Sequence, residues 1–520
     1  MSNDSRMKKS AKNMASGVAY RLLTTVTAFV VRTVFIRCLN NDYLSVNGLY
    51  SSILSMLSLA ELGFGTAMVY SMYKPLAEKD YGKLAQIMRL YKRVYSIVGL
   101  AVLVIGLCLV PFLDILIKNK PDLPHLTFYY ILFLGDSVIS YWFFAYRNSI
   151  LQADQKAYVI SNYNSVFNFL KSALQIVLLL VFRNFTIYLL TQIGCTILQN
   201  VALAVWVRKE YPIFRRQNRE ELPKEEKKRI FRDVKALMLQ KISFRVLNTS
   251  DSLIISAFVG VGWVGLLSNY ILVEEAVVAV LTQTTSAITA SLGNYFAKED
   301  RESGYRLFQR MEFMNFWLYG FSAIAFAVLL NPLVELWLGR LGSEYVLSQT
   351  IVIAIVLRFF VEGYMNMMST FRSTLGLFTQ GQYFPLLVAA LNILFSIGLS
   401  FPFGAAGVIF ATPLARCCVN VWYMPLVIHR DGFHKPVLPF YRRYTRRLLL
   451  LIGVTVGMLL FSRKCVFAGG VTIANFAVMT VLTAVVPNAV FFLFFRKTEE
   501  CAYFMGIAKG LFTKLHRSFL

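Results

Sequence analysis

Long apolar runs separated by short polar connections set the pattern of this sequence. Residues 97–113, 186–207, 323–338, 448–461 and 471–495 are examples. Crossing a bilayer as a helix takes roughly 20 such residues. In hydrocarbon every backbone group must be bonded internally, which leaves only helices or closed barrels. The runs are continuous rather than alternating, so they predict helices. They fall at 14–37, 47–73, 94–117, 126–151, 157–181, 186–207, 236–259, 267–297, 312–338, 346–375, 384–401, 407–428, 448–462 and 470–495. The expected fold class is an all-α polytopic membrane protein with about fourteen transmembrane helices.

Composition agrees. Of 520 residues, 57% are apolar and 16% charged, against about a quarter charged in soluble domains. A net charge of +25 would fit a nucleic-acid partner, but its placement does not. Lys and Arg in the connections number about 37 on one side of the bundle and about 6 on the other, the asymmetry that orients membrane proteins. The rich side holds the N-terminus, the connections 74–93, 208–235, 298–311 and 429–447, and the tail 496–520. That side is expected to be the cytoplasm, with attraction to anionic membrane lipids as a second effect. No nucleic-acid partner is expected. The opening MSNDSRMKKSAKN precedes no short apolar region with a small-residue cleavage site, and reads as the lead-in to an uncleaved first helix.

The connection 208–235 is charge-dense, holds Pro212 and Pro223, and divides the spans into two sets of six, with two left over. The sets align weakly with each other. AYRLLTT at 19–25 faces SFRVLNT at 243–249, and LAEKD at 76–80 faces FAKED at 296–300. RNSILQADQKAY at 147–158 faces RSTLGLFTQGQY at 372–383, where Arg147, Gln155 and Tyr158 meet Arg372, Gln380 and Tyr383 at one constant offset. Six helices, an even number, separate equivalent positions, so the repeats are parallel. The expected organisation is an N-lobe at 1–207, a basic linker at 208–235 and a pseudo-twofold related C-lobe at 236–428. A basic loop at 429–447, two further helices within 448–495 and a cytoplasmic tail complete it. Parallel lobes about an axis along the membrane normal make a cavity whose opening can alternate.

Charges inside the spans cost several kcal/mol even on lenient scales, so they face other helices or water. They form stripes. Arg21, Thr25, Ala28 and Arg32 share a face of the first helix, and Lys241, Arg245, Asn248 and Ser252 repeat it in the seventh. The fourth carries Asp136, Ser140, Phe143 and Arg147, and the fifth Asn164, Asn168, Lys171 and Gln175. The eighth carries Glu275, Thr282, Ser286 and Thr289. In the tenth, Arg358 precedes Glu362 by one turn, the spacing of an ion pair, and Arg372 follows. Mutual neutralisation or snorkelling to the interface accounts for some of these groups, Arg21, Arg147, Lys241 and Arg372 among them. Arg32, Lys171 and Arg245 lie deeper and have no obvious acid on their own face. Basic residues outnumber acids in the spans, so a net positive wet cavity is expected, suited to an anionic cargo and to phosphate through the Arg fork.

Catalytic signatures are missing. There is no GxxxxGK[ST] loop, the four His lack metal-ligand spacing, and the seven Cys form no CxxC pair. No metal, cofactor or catalytic residue is expected. A polysaccharide polymerase or glycosyltransferase would need a carboxylate in a sizeable external loop, and the external loops here are only a few residues long.

Residues 47–80 read NGLYSSILSMLSLAELGFGTAMVYSMYKPLAEKD. This resembles the second-helix signature of bacterial Wzx-type polysaccharide flippases, of the multidrug/oligosaccharidyl-lipid/polysaccharide (MOP) exporter superfamily. The resemblance extends along the chain, since that family has two six-helix lobes and often two extra helices. It implies alternating access by a V-shaped bundle, with undecaprenyl-diphosphate-linked glycan moved across the bacterial inner membrane and a polysaccharide polymerase and co-polymerase as partners. It implies cationic cavity residues for the head group, matched here by Arg21, Arg32, Lys171 and Arg245. Arg147, Lys241 and Arg372 complete the candidate set. Glu61, Asp136, Asp251, Glu275 and Glu362 are the candidates for proton or sodium coupling. Two other transporters fit less well: a lipid II flippase, from which the AELGFG signature points away, and a cation-coupled multidrug exporter, which the basic excess disfavours.

Overall fold

A computed structural model describes residues 3–58, 64–211, 213, 221–298, 300–377 and 380–506. It is helical throughout, with no strand among the described residues. The helices are α1 (Asn3–Leu57), α2 (Phe64–Glu78), α3 (Tyr81–Leu109), α4 (Leu113–Leu116), α5 (Leu126–Trp142), α6 (Asn148–Ala153), α7 (Ala157–Phe182) and α8 (Phe185–Glu210). They continue as α9 (Lys224–Ile254), α10 (Gly262–Lys298), α11 (Arg301–Leu338), α12 (Gln349–Thr374), α13 (Phe384–Cys418), α14 (Asn420–Val427), α15 (Leu438–Phe461) and α16 (Ile473–Phe495).

Among the described residues, ten stretches of helix are long and apolar enough to cross a membrane. Two of the ten hold a break. In α1 it falls at Asn40, with φ 67°. The Asn40 side-chain oxygen accepts from the Asp42 amide at 2.9 Å, the local bond that lets Asn leave the helical region and restart the helix. In α13 it falls at Gly404, with φ 57°. Gly407 follows so close to the Leu399 carbonyl oxygen that a methyl group there would overlap it. These breaks stand between the first and second, and the eleventh and twelfth, expected spans. Outside the ten fall α2 and α5, 15 and 17 residues long, the short α6 and the charge-rich α9.

The fourth expected span, 126–151, is interrupted. α5 ends at Trp142, Phe144 takes φ 63°, and α6 begins at Asn148. The Arg147 guanidinium sits 4.4 Å from the Phe144 ring centroid and donates to the Ala204 carbonyl at 3.0 Å, which holds the break closed. The polar stripe expected from Asp136 to Arg147 therefore stops where the helix does.

Residues Met1–Ser268 and Asn269–Leu520 form two compact units. In the first, α1 packs on α7 and α9, α3 on α5, and α7 on α8. Its core includes Tyr50, whose hydroxyl donates to the Leu126 carbonyl at 3.1 Å and whose ring meets Tyr130 edge-on. In the second, α12 packs on both α11 and α13, and α15 and α16 pack on α11. At Gly363 the α11–α12 approach is so close that a methyl group would overlap the Tyr319 ring. Much of the segment 429–447 is helical, since α15 starts at Leu438. Arg447 is thereby brought inside, 4% exposed. It donates to Glu312 of α11, which also accepts from the Tyr364 hydroxyl at 2.5 Å.

Candidate anion site

Asn168, Lys171 and Gln175 follow one another on α7 at spacings of three and four, which puts them on one helix face. That face turns toward α1, on which α7 packs. There Thr24, Thr27, Ala28 and Arg32 form the opposite wall, and Tyr188 of α8 bounds the side. Together they line a half-open cavity of about 240 Å³. Both cations are half-buried. Arg32 donates to the Ser268 hydroxyl at 2.6 Å. No carboxylate among the described residues reaches Lys171 within ion-pair distance; the acid that acts on it through space is Asp136 of α5. Asp136 accepts from Gln192 Nε2 at 2.7 Å through Oδ2, and its Oδ1 is buried without a partner. Two positive groups on adjacent helices thus share one pocket, and a fork beside a point charge can hold an anionic group from two sides.

The other candidate cations lie elsewhere. Arg147 and Arg372, equivalent in the repeat, each donate to a backbone carbonyl, Ala204 at 3.0 Å and Leu377 at 2.9 Å. Lys241 donates to the Thr66 hydroxyl at 2.7 Å and Arg245 to the Ser55 hydroxyl at 2.9 Å, so these two link α9 to α2 and α1. The Arg21 side chain and Glu61 lie outside the described residues. Among the acids, Asp251 is half-buried on α9 and Glu275 is exposed on α10. Glu362 accepts from Arg416 Nη2 at 3.1 Å.

Sequence reading missed several buried charges. Glu274, not Glu275, faces inward at 7% exposure and receives Arg358; one residue turns a helix by about 100°. Glu312 and Arg447 were hidden because 438–447 reads as a basic connection. The signal that could have found them is the helical spacing of Phe440, Arg447, Leu451 and Met458, which puts Arg447 on the buried face of α15. Outside the spans, Lys156 bonds Asp154 at 2.9 Å and Glu210 at 2.8 Å. Burial pulls its pKa down, but the two carboxylates outweigh that and hold it above the usual lysine range.

A family model described as polysaccharide biosynthesis protein matches residues 10–298, more than half of the chain. The chain belongs to the polysaccharide biosynthesis protein family. No curated protein sequence matches it. In solved structures this family member's fold is similar to that of a lipid II flippase, MurJ, in an inward closed conformation. There the TM-score is 0.65 at 15% identity, over 93% of this chain and 98% of that one. An inward-facing MATE family multidrug transporter of the MOP superfamily gives 0.59 at 12% identity, over 79% and 96%. A point mutant of the Vibrio cholerae MATE transporter VcmN gives 0.56 at 15%, over 83% and 99%. The polysaccharide biosynthesis protein therefore has the multi-pass membrane fold of MOP superfamily transporters.

Proposed function

We propose that this polysaccharide biosynthesis protein is a Wzx-type flippase, carrying undecaprenyl-diphosphate-linked oligosaccharide across the bacterial inner membrane by alternating access. The observation that carries the reading is Arg32 and Lys171 on the wall of one cavity. A diphosphate needs just such a fork and point charge, while its lipid tail can stay in the bilayer. Size narrows the choice. A cavity of about 240 Å³ is smaller than the roughly 300–1,000 Å³ that encloses a whole small ligand, so it fits a phosphate end of something larger. The parallel repeat in the sequence supports rocking of two lobes, and the excess of Lys and Arg on one side supports a cytoplasmic position for both termini. Asp136, with one carboxylate oxygen unsatisfied beside Lys171, is the favoured coupling acid. A polymerase and co-polymerase would receive the product.

The test is genetic. A deletion strain accumulates lipid-linked oligosaccharide on the cytoplasmic leaflet, and the intact gene, but not Arg32→Ala, clears it. Lipid II is the second reading, supported by the fold shared with a lipid II flippase across 93% of the chain. Lipid II accumulating in place of the oligosaccharide would establish it.

A further inference from the structure

The first unit holds a second, larger cavity of about 470 Å³, walled by α2, α3, α5, α6 and α8. A polar stripe on α8 runs from one cavity to the other. Tyr188 faces the anion site, Gln192 bonds Asp136, and Thr196 and Asn200 face the larger cavity. The eight residue steps from Tyr188 to Thr196 cover about 12 Å of helix.

The two cavities differ in chemistry. Among the described residues no charged side chain lines the larger one. Its wall carries the amides of Asn148, Gln152 and Asn200 together with the phenols of Tyr91, Tyr95 and Tyr141. The Tyr91 hydroxyl donates to that of Tyr95 at 3.2 Å, and the Tyr95 and Tyr141 rings meet at 5.8 Å, so the aromatic side is already assembled. The three amides make no side-chain hydrogen bond to any described residue. Each has two N–H donors and a carbonyl acceptor. Gln152 is exposed and Asn148 and Asn200 are half-buried, so these amides are open to water or to a ligand whose own hydrogen-bonding groups replace water.

We infer that this cavity is a subsite for the uncharged sugar units of the cargo, an inference that rests on the flippase reading above. Sugar hydroxyls both donate and accept, as amides and phenols do, and the C–H face of a sugar ring lies well against tyrosine. Phosphate would call for cations and a metal ion for carboxylates, and the described wall has neither. At about 470 Å³ the cavity falls inside the roughly 300–1,000 Å³ range of small-ligand sites, and the separation along α8 lets diphosphate and sugars be held together.

Binding to the full chain in lipid nanodiscs tests this with two probes: bare undecaprenyl diphosphate, and the lipid-linked oligosaccharide extracted from the host. The variants are Gln152→Leu, at an exposed position the fold should tolerate, and Asn200→Leu. Both are expected to bind the glycan-bearing lipid about tenfold more weakly and the bare lipid unchanged, while Arg32→Ala weakens both probes. Equal loss on both probes, or no loss on either, in Gln152→Leu and Asn200→Leu would overturn the subsite. If Arg32→Ala weakens neither probe, the diphosphate reading fails, and a glycan-selective loss in Gln152→Leu would still stand on the difference between the probes.

Discussion

Gln192 donates to Oδ2 of Asp136 at 2.7 Å, while Oδ1 of the same carboxylate is buried with no partner. A buried acceptor left unmet is costly, and a cation beside Oδ1 relieves that cost. We predict that Asp136→Asn removes any sodium dependence of transport by the reconstituted protein, whereas Asp136→Glu keeps it. Profiles for wild type and Asp136→Asn that run parallel would take Asp136 out of coupling.

Arg32 and Arg245 occupy similar stripes in the sequence but different surroundings in the structure. A hydrogen bond to a charged group contributes about 1.5–3 kcal/mol, so Arg32→Ala should weaken diphosphate binding by about tenfold to a hundredfold. Arg32→Lys should recover part of it, keeping the charge and losing the fork. Arg245→Ala, at a residue outside this cavity's lining, should lose less than Arg32→Ala. Binding isotherms for undecaprenyl diphosphate check all three.

Arg447 and Glu312 make a buried pair, 4% and 3% exposed. Removing one partner of such a pair typically costs 3–5 kcal/mol. Arg447→Met alone should therefore lower the thermal midpoint markedly. Adding Glu312→Gln should restore part of it, since the most buried carboxylate is then neutral and Tyr364 keeps an acceptor, while Glu500, 3.9 Å from Arg447 in the wild type, still loses its partner. Thermal unfolding followed by size-exclusion chromatography reads both.

Lys156 gives a pH signature at the opposite extreme. Its pKa is raised in the folded chain by Asp154 and Glu210 against the pull of burial. A raised lysine contributes its stability fully below the unfolded value of about 10.4, and loses it as pH climbs through the higher folded value. Wild type should lose thermal stability over that alkaline window more steeply than Lys156→Met. Equal slopes would show that the cluster contributes nothing.

Class and helix placement were legible because the bilayer imposes length and hydrophobicity on every span. The 346–375 expectation lands on Gln349–Thr374. The Asn168–Lys171–Gln175 face was legible for a similar reason, since the helical period fixes which residues share a side. Partners across helices were not. Arg358 precedes Glu362 by one turn, yet Glu274 receives Arg358 and Arg416 bonds Glu362, because tertiary packing decides which faces meet. The break after Trp142 escaped as well. Nothing in YWFFAYR is a helix breaker by propensity; the break is held by Arg147 reaching Ala204, far along the chain. Repeat and packing also describe different things. α9 is the sequence counterpart of α1 and at the same time packs on it.

The most direct test of the central claim is transbilayer movement of undecaprenyl-diphosphate-linked oligosaccharide in proteoliposomes. Wild type and Arg245→Ala should move it, and the double variant Arg32→Ala, Lys171→Ala should not, at equal protein insertion. Movement at the wild-type rate by the double variant would contradict the account.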